Sequence, residues 1–229
     1  MKVLVDYHNV PTATSHQGLA YLADRILTKV SSVAEPTGTL DLRLYGGWDS
    51  KNRMTRQGQD LSVEMQSIFP KTQRIGQVQV ILTMQLAQSL EALPSKTLPN
   101  TLREEPLSKI KCQTPSKTTC RSNPCPIDPM AVFLNSGACP LPGCIAEPHM
   151  LLSRTEQKLV DTMIVADLIH LAGHGETPIA LVSSDDDMWP GILCALNVGA
   201  NVIHLHTRAP ITQTAYLTQT NGQYTPIGL

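Results

Sequence analysis

Aromatic residues make up only 4% of this chain, a set that includes two tryptophans and two phenylalanines. So few rings exclude an extended stacking platform for single-stranded nucleic acid. Charged residues are also scarce, at 16%, and they nearly cancel, leaving a formal net charge of −1 and an isoelectric point of about 6.6. A broadly cationic surface is therefore excluded, and any hold on a nucleic acid has to come from a local patch or a partner. No apolar run approaches the length of a membrane span. Asp6 breaks the first apolar run after Val3-Leu4-Val5, which argues against a secretion signal there. The expectation is a cytoplasmic protein without membrane attachment, in which cysteines bind metal or stay reduced more often than they pair. What the chain does have is apolar material. Hydrophobic residues are 41% of 229, enough to bury a full core as one elaborated domain or two small ones.

Residues 2–5 read as a short, fully buried strand. Residues 17–33 carry Leu19, Leu22, Ala23, Ile26, Leu27 and Val30 at helical spacing, and Pro36 and Gly38 then break the helix. Residues 40–45 alternate as a strand does, up to Gly46-Gly47. A weaker helix covers 57–69, stopped by Pro70. A third strand covers 78–82, with 85–93 as a candidate helical extension. Residues 94–149 change character: they hold most of the 17 prolines and five of the six cysteines, with little periodicity. This stretch reads as an insertion. Regular structure resumes with a helix over 154–171, a strand over 178–183, a helix over 189–198 and a strand over 202–205. Strands alternating with helices predict a parallel sheet covered on both faces. The Thr- and Gln-rich tail, 209–229, is expected to add an edge strand or wrap the surface.

Acids recur at the ends of these strands. Asp6 and Asn9 follow the first strand, Asp161 opens the central helix, and Ser183, Asp185 and Asp187 follow the strand over 178–183. Carboxylates at the carboxyl edge of a parallel sheet are suited to a hard divalent cation. Asp185 and Asp187, two apart in extended geometry, project to one side. Taken singly, each acid is equally explained as a turn former or helix cap. Lys158 lies one turn before Asp161 and is placed to neutralise the cluster or touch a phosphate. Asp167 forms an i, i+4, i+7, i+11 row with Val160, Ile164 and Leu171, so a carboxylate occupies an inward stripe and needs a partner or a metal.

Together, Val5-Asp6-Tyr7-His8-Asn9-Val10, Lys158-Leu159-Val160-Asp161 with Ala166-Asp167, and Leu181-Val182-Ser183-Ser184-Asp185-Asp186-Asp187 followed by Met188-Trp189-Pro190 resemble the NYN family of the PIN-like nuclease superfamily. The resemblance covers about three quarters of the chain, omitting the insertion and the tail. It implies an α/β fold, a PIN-like three-layer sandwich with a central mostly parallel sheet. Residues 1–93 and 150–208 would form the nuclease domain, interrupted by the cysteine-rich insertion 94–149. It also implies a Mg²⁺- or Mn²⁺-dependent ribonuclease acting on RNA, or on DNA. Asp6, Asp161, Asp185 and Asp187 would be direct or water-mediated ligands, while Asn9 and Ser183 orient metal waters or the scissile phosphate. The chain departs from the family where Gly is usual, at Leu159 and Ser184, and where an aromatic is usual, at Met188. None of these departures removes an acid.

In the insertion, Cys120-x4-Cys125 and Cys139-x4-Cys144 are equally spaced pairs, flanked by Cys112 and His149. Two thiolate knuckles can make a tetrahedral structural Zn²⁺ site that substitutes for a hydrophobic core; reduced thiols in a variable loop are the alternative. Lys51, Arg53 and Arg56 follow Trp48 and could position a nucleic-acid backbone, or simply face solvent. His8 is either a substrate contact or a structural histidine. A competing function is a non-catalytic PIN-like binding module that docks a protein partner, or a second copy, through the cysteine-rich segment. A third is an aspartyl-phosphate phosphatase, disfavoured because Asp6 lacks a second Asp at +2.

Overall fold

The computed structural model describes residues 1–36, 38–107, 112, 125, 127–208 and 221–229. The chain divides into two compact units. One comprises Met1–Leu102 with Gln157–Leu229, and the other Arg103–Glu156.

The larger unit is α/β. Its seven-stranded sheet contains β1 (Lys2–Asp6), β2 (Gly38–Tyr45), β3 (Lys71–Ile75), β4 (Val78–Leu86), β5 (Ile179–Val182), β6 (Val202–His206) and β7 (Tyr224–Gly228), in the order β7-β6-β5-β1-β2-β4-β3. All neighbours are parallel except the β3–β4 hairpin. The main helices are α1 (Leu19–Ser31), α2 (Arg56–Ile68), α3 (Val160–Gly173) and α4 (Trp189–Asn197).

Strand alternation assigns the faces. Val3, Val5, Leu40, Leu42 and Leu44 pack with the apolar stripes of α1 and α2, led by Leu22, Ile26, Leu61 and Met65. Leu4, Tyr45, Ile179 and Leu181 face the other way, onto Ile164 and Leu168 of α3 and Ile192 and Leu196 of α4. The sheet is thus the middle of three layers. It starts at the centre with β1, winds outward through β2 to β4, then returns through α3 to place β5 on the other side of β1. The reversal of winding between β1 and β5 opens a crevice at the carboxyl ends of those two strands, where open parallel sheets bind ligands.

Several elements differ from the sequence expectation for identifiable reasons. Residues 85–93 are not helical: β4 runs on to Leu86, and Ser89–Leu90 pairs with Leu93–Thr97 as a hairpin. The helix expected over 154–171 starts later, because Ser153–Gln157 is a strand paired with Leu102–Pro106. Helix α3 begins only after Leu159, whose φ of +69° stops regular structure on its N-terminal side. A left-handed backbone of this kind is one that glycine adopts without steric cost and a leucine does not. The tail does supply an edge strand, β7.

The smaller unit contains helices Asp128–Ser136 and Pro148–Leu151 and the bulk of the Leu102–Pro106/Ser153–Gln157 strand pair. Its bounds, Arg103–Glu156, fall later than the expected 94–149, because the hairpin strand Leu93–Thr97 belongs to the larger unit. Among the described residues no helix is long and apolar enough to cross a membrane.

Candidate metal centre

Asp6 is the last residue of β1 and only 4% exposed. Its carboxylate accepts a hydrogen bond from the Ser183 hydroxyl, Oγ to Oδ2 3.1 Å, and further bonds from the Asn9 backbone and side chain. Ser183 follows β5 directly and is fully buried. Its Oγ also accepts the Asp185 N–H at 3.1 Å, so one hydroxyl ties the two acids to a common frame. Asp185 in turn caps the short 3₁₀ turn Asp186–Met188, its Oδ1 accepting the Asp187 N–H at 3.1 Å. Extended geometry is therefore not what brings Asp185 and Asp187 to one side; the tight turn does it. Asp161 comes from the first turn of α3, where a negative charge suits the helix dipole.

One oxygen from each of Asp161, Asp185 and Asp187 lies within 4.8 Å of the other two, making the only such group of His, Cys, Asp or Glu side chains among the described residues. Asp6 is not part of that triad. It sits behind it, linked through Ser183, but near enough to act electrostatically. Burial, followed by the charges of Asp6, Asp185 and Asp187, pushes the Asp161 carboxyl up to about 6. Burial also raises Asp6, helped by Asp185 and opposed by the Ser183 and Asn9 hydrogen bonds. Acids are crowded here at an electrostatic cost that a bound cation removes.

The loops carrying these acids are fastened together. Asn9 Oδ1 accepts the Ser184 N–H (3.1 Å) and the Thr207 hydroxyl. Ser184 Oγ accepts the N–H groups of Thr207 (2.8 Å) and Arg208 (3.0 Å). The ends of β1, β5 and β6 thus form one hydrogen-bonded unit, and in this arrangement Asn9 and Ser183 act by positioning the acids.

A buried histidine chain lies beneath Ser183. The Ser183 carbonyl can only accept, so His204 Nε2, 3.0 Å away, carries a proton. Nδ1 must then accept from the Tyr224 hydroxyl at 2.9 Å, leaving His206 Nε2 to donate to the Tyr224 oxygen at 3.3 Å. Burial, with help from His206, lowers His204 to about 3, so it is neutral throughout the physiological range. Sequence reading missed His204 and Tyr224. The available signal was a histidine in the middle of the apolar run Val202-Ile203-His204-Leu205.

Asp167 is fully buried and its role is structural. It accepts from the Tyr45 hydroxyl (Oδ2, 2.6 Å) and the Glu91 N–H (Oδ1, 2.7 Å), with Arg43 Nε 3.4 Å from Oδ2. Lys158 lies two residues before α3 and donates its backbone N–H to the Thr101 carbonyl at 2.9 Å. Lys51 and Arg53 are exposed on the hairpin Asp49–Ser50/Arg53–Met54, whose turn residues Lys51 and Asn52 both have positive φ. Arg56, 94% exposed, lies 3.9 Å from Asp60. His8 Nε2 is 3.0 Å from Gln57 Oε1, and its ring packs near Trp48.

In the smaller unit, Cys139 and Cys144 sit on one turn. The Cys139 N–H donates to the Ala146 carbonyl at 2.9 Å and the Cys144 N–H to the Leu141 carbonyl at 3.1 Å. The Ala146 N–H and the Cys139 thiol lower the Cys144 thiol below its ordinary value. Cys120 lies outside the described residues. Cys125, Cys139 and Cys144 do not form a three-donor group.

Comparison of this chain with family models, with curated proteins and with solved structures returns no match.

Proposed function

We propose that this protein is a PIN-like, NYN-type nuclease that uses a divalent cation, Mg²⁺ or Mn²⁺, to hydrolyse phosphodiester bonds in RNA. The observation that carries this reading is the Asp161–Asp185–Asp187 triad, with Asp6 behind it, at the β1–β5 winding reversal. The donor set fits a hard cation. It consists of carboxylate oxygens alone, and a 4.8 Å spread lies close to the roughly 4 Å between opposite oxygens around Mg²⁺, so a small closure or a bridging water suffices. When bound, such an ion supplies Lewis acidity at the phosphoryl oxygen and lowers the pKa of a coordinated water.

The protein's own residues do the rest. Asp161, Asp185 and Asp187 hold the ion, and Ser183 and Asn9 fix the loops that present the acids. Asp6, behind the triad, keeps the local field negative, and Lys51 and Arg53, exposed on their hairpin, would take the phosphate backbone. No serine or cysteine nucleophile is required. Exposed apolar side chains in the smaller unit, Ile145 at 86% and Leu141 at 67%, favour a role for it in docking a protein partner.

The test is to incubate end-labelled RNA and DNA with the protein in Mn²⁺ or in chelator, beside Asp185→Asn. Metal-dependent cleavage lost in the variant supports the reading. Cleavage of DNA alone reassigns the substrate, and no cleavage of either in any metal leaves the non-catalytic binding module.

A further inference from the structure

The same carboxyl edge holds a second feature that the acidic centre does not use. A cavity of about 250 Å³ opens where the loops after β2 and β4 meet the segment leaving strand Leu93–Thr97. Trp48, Asn52, Gln88, Leu98 and Thr101 are among its walls. We propose that this cavity takes one unpaired nucleobase of the strand held across the acidic centre, making it a specificity pocket; the inference rests on the nuclease reading above.

Size argues for a small, flat occupant. Sites for drug-sized ligands begin at roughly 300 Å³, so this one suits a single heterocycle and not a dinucleotide or a duplex. The walls are built in advance. Trp48 folds back against the chain, its indole N–H donating to the Leu44 carbonyl at 2.8 Å. That fold requires the preceding glycines: a Cβ on Gly46 would lie 2.6 Å from the indole ring, and one on Gly47 2.7 Å from Leu102. Thr101 is 2% exposed and accepts the Asp49 N–H at 3.0 Å, while Asp49 Oδ1 accepts the Asn100 N–H at 2.6 Å.

The chemistry left open on those walls is that of base recognition. The side-chain amides of Asn52 and Gln88 make no hydrogen bond to any described residue. Each offers an N–H donor beside a C=O acceptor, the pattern that reads a base edge. Trp48, only 1% exposed, is the rigid floor of the cavity, and the half-buried Leu98 supplies apolar surface for the ring.

Position completes the argument. Trp48 packs against Tyr7 and His8, the two residues after Asp6, with ring centroids 5.7 Å apart in each case. Neighbouring strands are about 4.8 Å apart, so in the order β5-β1-β2-β4 the ends of β2 and β4 lie roughly 10–14 Å from that of β5, which leads into Asp185 and Asp187, a distance that about two nucleotides span. Lys51 and Arg53 flank Asn52 on the hairpin and supply cationic contacts for the connecting phosphates. A base can enter only if it is unstacked, so the pocket selects single-stranded or splayed substrate. It also explains how a chain with few aromatics can hold such a strand: by inserting one base instead of stacking many.

The experiment places one abasic residue at successive positions of a fluorescein-labelled RNA octamer. Binding is read by anisotropy with Ca²⁺ in place of Mn²⁺, and a gel confirms that the strand stays intact. Affinity should fall about 10-fold at a single abasic position and little elsewhere. In Gln88→Ala, and separately in Asn52→Ala, the intact octamer should lose a similar factor and the positional dependence should disappear, with unchanged thermal stability. Equal affinity at every abasic position, or no binding of any octamer, would overturn the pocket. Positional loss in a protein that cuts nothing in Mn²⁺ would refute the nuclease reading and leave the pocket standing. Cleavage indifferent to every abasic position would do the reverse.

Discussion

Replacing Asp161 by Asn should stabilise the metal-free protein, and the gain should depend on pH in a defined direction. A carboxyl held at about 6 in place of 3.8 corresponds, at full burial, to about 3 kcal/mol against the ionised form. Asp161 is only half-buried and solvent screens its neighbours, so we expect about 1 kcal/mol. Because the folded-state value lies above the unfolded one, the native protein binds this proton more tightly. The handicap is full above pH 6 and fades as the pH falls through 6 toward 3.8. In chelator at pH 7.5, Asp161→Asn should melt about 2–4 °C above wild type, and the two should converge near pH 4. Titrating groups remote from the cluster cancel in the difference between the two proteins, while Asp6, Asp185 and Asp187, relieved of one neighbouring charge, add to the gain in the same direction. In saturating Mg²⁺ the order should reverse, since an ion at 100 times its dissociation constant adds about 2.7 kcal/mol to wild type alone. A variant that melts lower in chelator, or a gain that persists unchanged at pH 4, would refute the picture of a repulsive cluster awaiting a cation.

Other buried groups give further expected outcomes. His204, neutral when folded with a pKa of about 3, favours the native state above pH 6.5 and loses that contribution as the unfolded chain takes up a proton below it. His204→Gln should therefore lose less stability than wild type between pH 6.5 and 5, by about 2 kcal/mol in urea titrations; parallel losses would show that the histidine is not held neutral. Tyr45→Phe removes a buried donor from Asp167 and should cost about 2 kcal/mol; a change under about 0.5 kcal/mol would mean that Arg43 and the Glu91 N–H satisfy the carboxylate alone.

Much of the sheet was legible because buried parallel strands announce themselves as short apolar runs, as in Val3-Leu4-Val5 and Ile179-Ala180-Leu181-Val182. Strand β3 was not, since Lys71-Thr72-Gln73-Arg74-Ile75 is polar and lies at a sheet edge, paired only with β4. The strand Ser153–Gln157 was hidden for a similar reason: its partner, Leu102–Pro106, lies some fifty residues away, and no local pattern reports such a pairing. In the candidate centre, the acids could be read from their places at strand and helix ends. Their division of labour could not. That Asp187 joins Asp161 and Asp185 while Asp6 stands behind depends on a 3₁₀ turn after Asp185 and on one buried hydroxyl, Ser183. The His204–Tyr224 support needs two strands that are neighbours only once the tail has added β7 to β6.

The most direct measurement is the single-turnover rate of cleavage of an end-labelled, unpaired RNA as a function of Mn²⁺ concentration, in wild type and in Asp185→Asn. The rate should rise to saturation with Mn²⁺, vanish in chelator, and fall by at least about 100-fold in the variant while its melting profile stays intact. Equal rates in Mn²⁺ and in chelator, or a variant as fast as wild type, would contradict the nuclease reading.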